Sequence, residues 1–185
     1  MSDDFNYSQE DPFYIIGLSD EALIEIEDYL SNLTDDQWQT HQTDYKDQKN
    51  FRLCDIHCPC ADSVIGSIGG SIFETINKKY EFDIELFEFQ ILRYGVGGNF
   101  NWHCDYGIAP NKQVWRKLSL SVQLSDPKDY EGGELLFYYP HNQKPYSKVN
   151  LNTGDLIMFP SNFMYPHSVE PIISGTRYSI VCWFS

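Results

Sequence analysis

Hydrophobic positions along this chain change their period near residue 82. Before it, spacings of three and four dominate. Leu23, Ile26, Tyr29, Leu30 and Leu33 form one helical stripe, opened by Ser19 as N-cap, Asp20 and Glu21 in the first turn, and a Leu18–Leu23 staple. Thr34-Asp-Asp-Gln37 reads as a capping box that opens a short second helix through Trp38. Residues 41–61 are polar, rich in Asp, Gln and Lys, and read as a loop or an irregular edge. Val64, Ile65, Ile68, Ile72 and Ile76 predict a third helix over 63–79, although Gly66, Gly69 and Gly70 each weaken it by ~1 kcal/mol relative to alanine.

From residue 82 the period is two. Phe87, Phe89 and Ile91 alternate with Glu88, Gln90 and Leu92, and Leu118, Leu120, Val122 and Leu124 alternate with Ser119, Ser121 and Gln123. Further short strands are predicted around 133–139, 146–151, 154–159, 167–172 and 175–184, punctuated by Gly, Pro, Asn and Asp. Short strands after a helical preface predict a mainly β fold with N-terminal helices, a double-stranded β-helix (jelly roll) braced by helices on one sheet. No repeat or linker divides the chain, so residues 1–185 are expected to form one domain, with a helical preface over about 1–80 and a jelly-roll core over about 82–185.

Composition narrows the partners. With 13 basic and 27 acidic residues the formal charge is −14, and the surface repels phosphate, so no nucleic-acid partner is expected. Apolar residues at 42% and aromatics at 16% exceed what a disordered acidic chain carries. No apolar run approaches the ~20 residues of a membrane helix, and MSDDFNYSQEDPF has no signal-peptide pattern, so a soluble cytoplasmic protein is expected. The five cysteines, at 54, 58, 60, 104 and 182, are an odd set that fits reduced thiols. Cys54, His57, Cys58 and Cys60 have ligand-type side chains, but their spacing closes no familiar zinc knuckle, and they read as incidental thiols.

Candidate chemistry is concentrated in two segments. In a strand His103 and Asp105 project from one face, with Phe100, Trp102 and Cys104 on the other. Residues 152–169 read as a buried strand, a turn and a second strand beginning at His167. Ten residues later Arg177, Ser179, Val181 and Trp183 share one face of a closing strand whose other face is Tyr178, Ile180, Cys182 and Phe184. An arginine inside an apolar strand is costly to bury unless an anion meets it, either a protein carboxylate or a ligand.

Two His and one carboxylate that leave neighbouring coordination positions open form the facial triad of non-heme Fe(II) oxygenases. The order H-x-D, a His 62 residues after the Asp, then Arg-x-Ser resembles the Fe(II)/2-oxoglutarate dioxygenases, and within them the prolyl 4-hydroxylase-like branch. Tyr94-Gly-Val-Gly-Gly and the segment 124–135, Leu-Ser-Asp-Pro-Lys-Asp-Tyr-Glu-Gly-Gly-Glu-Leu, are similar to its bacterial and phage members. The resemblance runs from about 85 to 184.

That resemblance implies iron held by His103, Asp105 and His167, with Arg177 and Ser179 on the distal carboxylate of 2-oxoglutarate and Tyr94 hydrogen-bonded to the same cosubstrate. It puts Trp183 near the substrate cleft and Arg116 against a peptide. It further implies Fe(II), 2-oxoglutarate and O2, with ascorbate as an auxiliary reductant, in a hydroxylation that releases succinate and CO2. Peptidyl proline is the first candidate substrate, and a free amino acid or other small molecule the alternative; a non-catalytic cupin-like metal-binding module is the reading from another class. The chain departs from the branch at Phe100 and Gln123, where a tyrosine is usual, and at Arg177, where many members carry lysine. Asp105 argues against halogenation, which needs that position vacant for halide. Substrate loops are expected at 41–62 and 106–115.

Overall fold

The computed structural model describes residues 14–80, 87–107 and 115–185. Strand β1 (Tyr14–Gly17) leads into helix α1 (Asp20–Ser31), a hairpin of β2 (Gln39–Tyr45) and β3 (Gln48–His57), and helix α2 (Val64–Tyr80). The following strands are β4 (Phe87–Tyr94), β5 (Asn99–His103), β6 (Leu118–Gln123), β7 (Tyr130–Gly132) and β8 (Leu135–Tyr138). After them come β9 (Pro145–Val149), β10 (Asp155–Pro160), β11 (His167–Val169), β12 (Ile172–Gly175) and β13 (Arg177–Phe184).

The Ser19 hydroxyl caps α1 by accepting from the Ala22 N–H at 3.3 Å. The short second helix is a single 3-10 turn, Asp35–Gln37, in which the Gln37 side chain accepts from the Thr34 N–H at 2.9 Å. In α2 one of the glycines that lower helix propensity has a use. A Cβ at Gly66 would run into the backbone of Cys60 and Ala61, so only glycine lets the helix start against that turn.

Most of the chain is one curled antiparallel sheet with strand order β1-β10-β6-β13-β4-β3-β5-β11-β8-β9. The strand that turns it is β3. Its C-terminal half pairs with β4 (Asp55 opposite Arg93, His57 opposite Ile91) and Arg52 and Leu53 pair with Phe100 and Asn99 of β5. The expectation of a helical preface over 1–80 is corrected here by β1, β2 and β3. Of the two readings of 41–61, a loop or an irregular edge, the edge describes β2, which lies off the main strand order and pairs with β3 through a shifted register. Strand β2 hides from hydrophobic patterning because all its residues but one are exposed. Polar cross-strand bonds fasten it instead: Thr40 to Asp55 at 2.7 Å and Gln42 to Asn50 at 2.7 Å. Parts of the expected preface (1–13), of the first core strand (82–86) and of the 106–115 loop (108–114) lie outside the described residues.

Two apolar clusters share the sheet. One joins Ile26 of α1 and Ile65 and Ile76 of α2 to Ile91, Leu120, Val122, Ile180 and Phe184. The other lies inside the curl, where Leu92, Ile157 and Phe159 meet Leu135, Phe137 and Val169. Alternation of the kind seen in β6 ordinarily marks a half-exposed strand, yet Ser119 and Gln123 are 1% exposed. Both faces of β6 are buried, and its polar face points into the curl.

Candidate metal centre

His103 ends β5 and His167 begins β11, and the two are cross-strand partners. Asp105 follows two residues after His103. Nε2 of His103 lies 3.5 Å from Oδ1 of Asp105, and Nε2 of His167 lies 3.7 Å from Oδ2. The three ligand-type atoms fall within 4.8 Å of one another. Each imidazole is oriented by its other nitrogen: Nδ1 of His103 donates to the Asn101 carbonyl at 2.7 Å, and Nδ1 of His167 to the Tyr165 carbonyl at 3.1 Å. Both Nε2 lone pairs are therefore left for a common centre. Donors on one ion at roughly 2.1 Å sit within roughly 4.2 Å of each other; both His–Asp separations lie inside that span, and two imidazoles and one carboxylate are a donor set suited to a divalent ion.

Packing fixes the rings. Phe100 stacks on His103 with centroids 3.5 Å apart, while Phe137 and Phe159 flank His167 at 5.5 and 5.0 Å. The position of Phe100 corrects the strand alternation that put it on the face opposite His103. A step of two along β11, His167 to Val169, is matched by a step of three along β5, His103 to Phe100. This bulge brings both side chains to the inside.

Burial pushes the Asp105 carboxyl up, but the charges of His167 and His103 and the hydrogen bonds from His103 and Ser119 outweigh it, holding Asp105 well below the usual carboxylate range. Burial pulls His167 down to about 4, with His103 adding to the shift and Asp105 opposing it. Near neutral pH the pair is thus a carboxylate beside a neutral imidazole, the forms a cation binds. Oδ2 of Asp105 accepts from Ser119 Oγ at 2.7 Å, and Ser119 is bonded to Ser161 Oγ at 2.6 Å. Both serines are buried, and sequence reasoning did not single them out as site residues.

Arg177 is 2% exposed. Its Nε donates to Gln123 Oε1 at 3.1 Å and its Nη1 to Ser179 Oγ at 3.4 Å. Gln123 is held for this by donating from Nε2 to the Ser125 carbonyl at 2.8 Å and to Tyr130 Oη at 3.0 Å. Among the described residues no carboxylate lies within 4.0 Å of Arg177, which removes the structural ion pair as its explanation. Tyr94 is its cross-strand partner, with the ring 5.8 Å from the guanidinium carbon, and burial raises the phenol further above neutrality. One cavity of about 40 Å³ is lined by the three ligand-type residues together with Tyr94, Arg177 and Ser179. Arg177 also borders a larger cavity of about 390 Å³. The inner face of β6 serves both ends, Ser119 at Asp105 and Gln123 at Arg177.

Trp183 lines the small cavity, whereas Arg116 does not: it lies 4.1 Å over the Trp183 ring and pairs with Glu88 at 2.8 Å. Arg52, unmarked by sequence reasoning, lines the cavity too. All five cysteines are free thiols, and among the described residues the triad is the one group of three ligand-type side chains. His57 is consumed structurally, bonded to Tyr29 Oη at 2.8 Å and to the Gln37 carbonyl at 3.0 Å. No described helix is long and apolar enough to cross a membrane.

A curled antiparallel sheet that holds two His and one Asp beside a buried, unpaired arginine defines a jelly-roll protein with the donor set of a mononuclear metal centre. The chain belongs to the 2OG-Fe(II) oxygenase superfamily, whose model matches residues 89–185. Members of this family use Fe(II), 2-oxoglutarate and O2. Among curated proteins it is similar to a PKHD-type hydroxylase of Synechococcus sp. (strain CC9902), 33% identical over 136 residues, covering 73% of this chain and 58% of that one. A PKHD-type hydroxylase of Gloeothece citriformis is 35% identical over 114 residues, covering 61% of this chain and 47% of the relative. This chain thus spans about half the length of these relatives. Among solved structures, a prolyl-4-hydroxylase of Pseudomonas putida aligns with TM-score 0.71 at 17% identity, over 94% of this chain and 91% of that one. A prolyl hydroxylase of Trichoplax adhaerens, in complex with a hypoxia inducible factor peptide fragment, aligns with TM-score 0.68 at 21% identity, over 95% and 84%. These two likenesses concern the fold.

Proposed function

We propose that this chain is an Fe(II)- and 2-oxoglutarate-dependent hydroxylase, with His103, Asp105 and His167 as metal ligands and Arg177, assisted by Ser179 and Tyr94, as the anchor for the distal carboxylate of the cosubstrate. The observation that carries the proposal is the buried, unpaired guanidinium of Arg177 lining the same small cavity as the triad. A metal-binding module without turnover gives no reason for that cation. Fe(II) with 2-oxoglutarate and O2 supplies the oxidising chemistry, yielding succinate and CO2 and converting a substrate C–H to C–OH. The chain's residues supply the remainder. Asp105 and the two Nε2 atoms hold the metal on one side, and the Asn101, Tyr165 and Ser119 contacts keep those donors in place. Arg177 offers a planar fork matched to a carboxylate, and Gln123 and Ser179 keep it aimed. Leu92, Phe159 and Val181 give the cavity an apolar wall.

Peptidyl proline is the first candidate substrate, supported by what the prolyl hydroxylases named above act on, and a small molecule is the alternative; Trp183 is the proposed substrate-facing residue. Arg116 enters this role only if it releases Glu88. The test is succinate formation from 2-oxoglutarate with Fe(II) and ascorbate. Wild type is expected to form succinate and His167→Ala to form none above the metal-free blank. Equal rates in both would remove the triad from the chemistry.

A further inference from the structure

The chain has four arginines, at 52, 93, 116 and 177. Two are neutralised near the surface: Arg93 pairs with Asp35 at 3.0 Å and Asp55 at 2.9 Å, and Arg116 with Glu88 at 2.8 Å. The other two, Arg52 and Arg177, are 9% and 2% exposed, have no carboxylate within 4.0 Å among the described residues, and both line the cavity of the triad. In a chain of net charge −14 the two arginines without a protein counter-charge stand in one small space.

Arg52 is poorly satisfied there. Its Nε is buried with no hydrogen-bond partner, and its Nη2 reaches Gln90 Oε1 only at 3.4 Å. Its guanidinium lies 4.7 Å over the Phe100 ring, which also stacks on His103. The Cys54 thiol is also within its reach, but burial pushes that thiol up and it remains neutral. A buried guanidinium with no countercharge is costly to the fold unless an anion arrives. The cosubstrate does not supply that anion. A divalent ion, the Asp105 carboxylate, a dianionic 2-oxo acid and Arg177 already balance to neutrality, and Arg52 is one positive charge beyond that balance.

The geometry points to Arg52 as the binding residue for a carboxylate of the primary substrate, making that substrate a small monoanionic carboxylic acid, amino-acid-like in size. The proposal rests on the function proposed above and selects among its substrates. An internal residue of a peptide carries no backbone carboxylate, whereas a free acid puts one within a few bonds of its reacting C–H. Arg52 sits over the Phe100 ring that stacks on His103, so a carboxylate on Arg52 is close to the metal ligands, as a short acid requires.

Acetate is the probe. In the full chain loaded with redox-inert Mn(II) and 2-oxoglutarate, acetate is expected to raise the thermal midpoint in a saturable way. Arg52→Gln is expected to weaken the apparent acetate affinity at least tenfold, with 2-oxoglutarate affinity shifted no more than threefold. Arg52→Lys, which keeps the charge and so protects the fold, is expected to fall between. No saturable acetate effect in wild type beyond that in Arg52→Gln overturns the carboxylate subsite. A tenfold loss of affinity for both 2-oxoglutarate and 2-oxobutyrate in Arg52→Gln assigns Arg52 to the cosubstrate and overturns the substrate assignment. If wild type binds no 2-oxoglutarate in the presence of metal, the hydroxylase function fails instead, and acetate titration of the metal-free chain still decides the role of Arg52.

Discussion

Replacing Arg177 by glutamine separates a ligand anchor from a structural ion pair, because the first role predicts a loss of 2-oxoglutarate affinity and the second a loss of stability. Without cosubstrate Arg177 is a buried cation with neutral partners only, Gln123 at 3.1 Å and Ser179 at 3.4 Å. Its removal relieves desolvation of a charge but leaves Gln123 Oε1 without a donor, a loss of about 1–3 kcal/mol. These effects oppose each other, so the metal-free chain is expected to keep its unfolding free energy within about 2 kcal/mol of wild type. With cosubstrate the balance changes. Losing one partner of a buried, hydrogen-bonded charge pair costs about 2–5 kcal/mol, which corresponds to a rise in the 2-oxoglutarate Kd of about 30- to 4,000-fold. Calorimetric titration of 2-oxoglutarate into the Mn(II)-loaded protein, beside urea melts of the metal-free protein, reads both quantities. 2-Oxobutyrate, which lacks the distal carboxylate, is expected to bind the variant and wild type about equally. The reasoning is refuted if the variant loses several kcal/mol of stability while 2-oxoglutarate binding stays intact.

Ser119→Ala removes the 2.7 Å donor to Asp105 Oδ2 and strands Ser161. Metal affinity is expected to fall about 10- to 100-fold at a cost to the fold of about 1–3 kcal/mol; an affinity within twofold of wild type, read by metal titration, would dismiss the serine pair as a support for Asp105. The metal-free chain is also expected to lose stability in mild acid. His167 titrates at about 4 in the fold and near 6.5 when unfolded, so below about pH 6.5 the unfolded chain holds a proton that the folded chain refuses. Stability is complete above that pH and falls by up to ~1.4 kcal/mol per unit towards pH 4, ~3 kcal/mol in all. The lowered Asp105 pKa continues the loss in the same direction further down. Denaturant melts of chelator-treated protein between neutrality and pH 4 would count against this if they were flat.

Local periodicity carried a good part of the fold. The change from a spacing of three and four to a spacing of two placed α1, α2, β6, β10 and β13 because each turns an apolar face to the core. It failed at β2 and β3. A strand that is exposed over nearly all its length has no apolar face to announce it, and β2 is recognised only through its partner β3. Arg52 went unnoticed for the same reason. The run Phe51-Arg-Leu-Cys-Asp-Ile-His57 does put Arg52 and Cys54 on one face, and that alternation was the available signal. Phe100 was misplaced because a bulge adds one residue to β5, and a count of two cannot register it.

The identity and order of the chemistry-bearing residues were determined by the sequence alone. His-x-Asp, the later His and Arg-x-Ser name a donor set and an anion partner by residue type, and strand period puts Arg177 and Ser179 on one face whatever the partners are. Only the tertiary structure decided what those faces look at. The polar side of β6 turned out to line an interior cavity, the guanidinium of Arg177 turned out to have no carboxylate partner among the described residues, and a second arginine arrived from a strand more than a hundred residues away in the chain. The physical reason is one of range. Periodicity is set by backbone geometry within a few residues, whereas burial and charge pairing depend on which distant strands the curl of the sheet brings opposite one another.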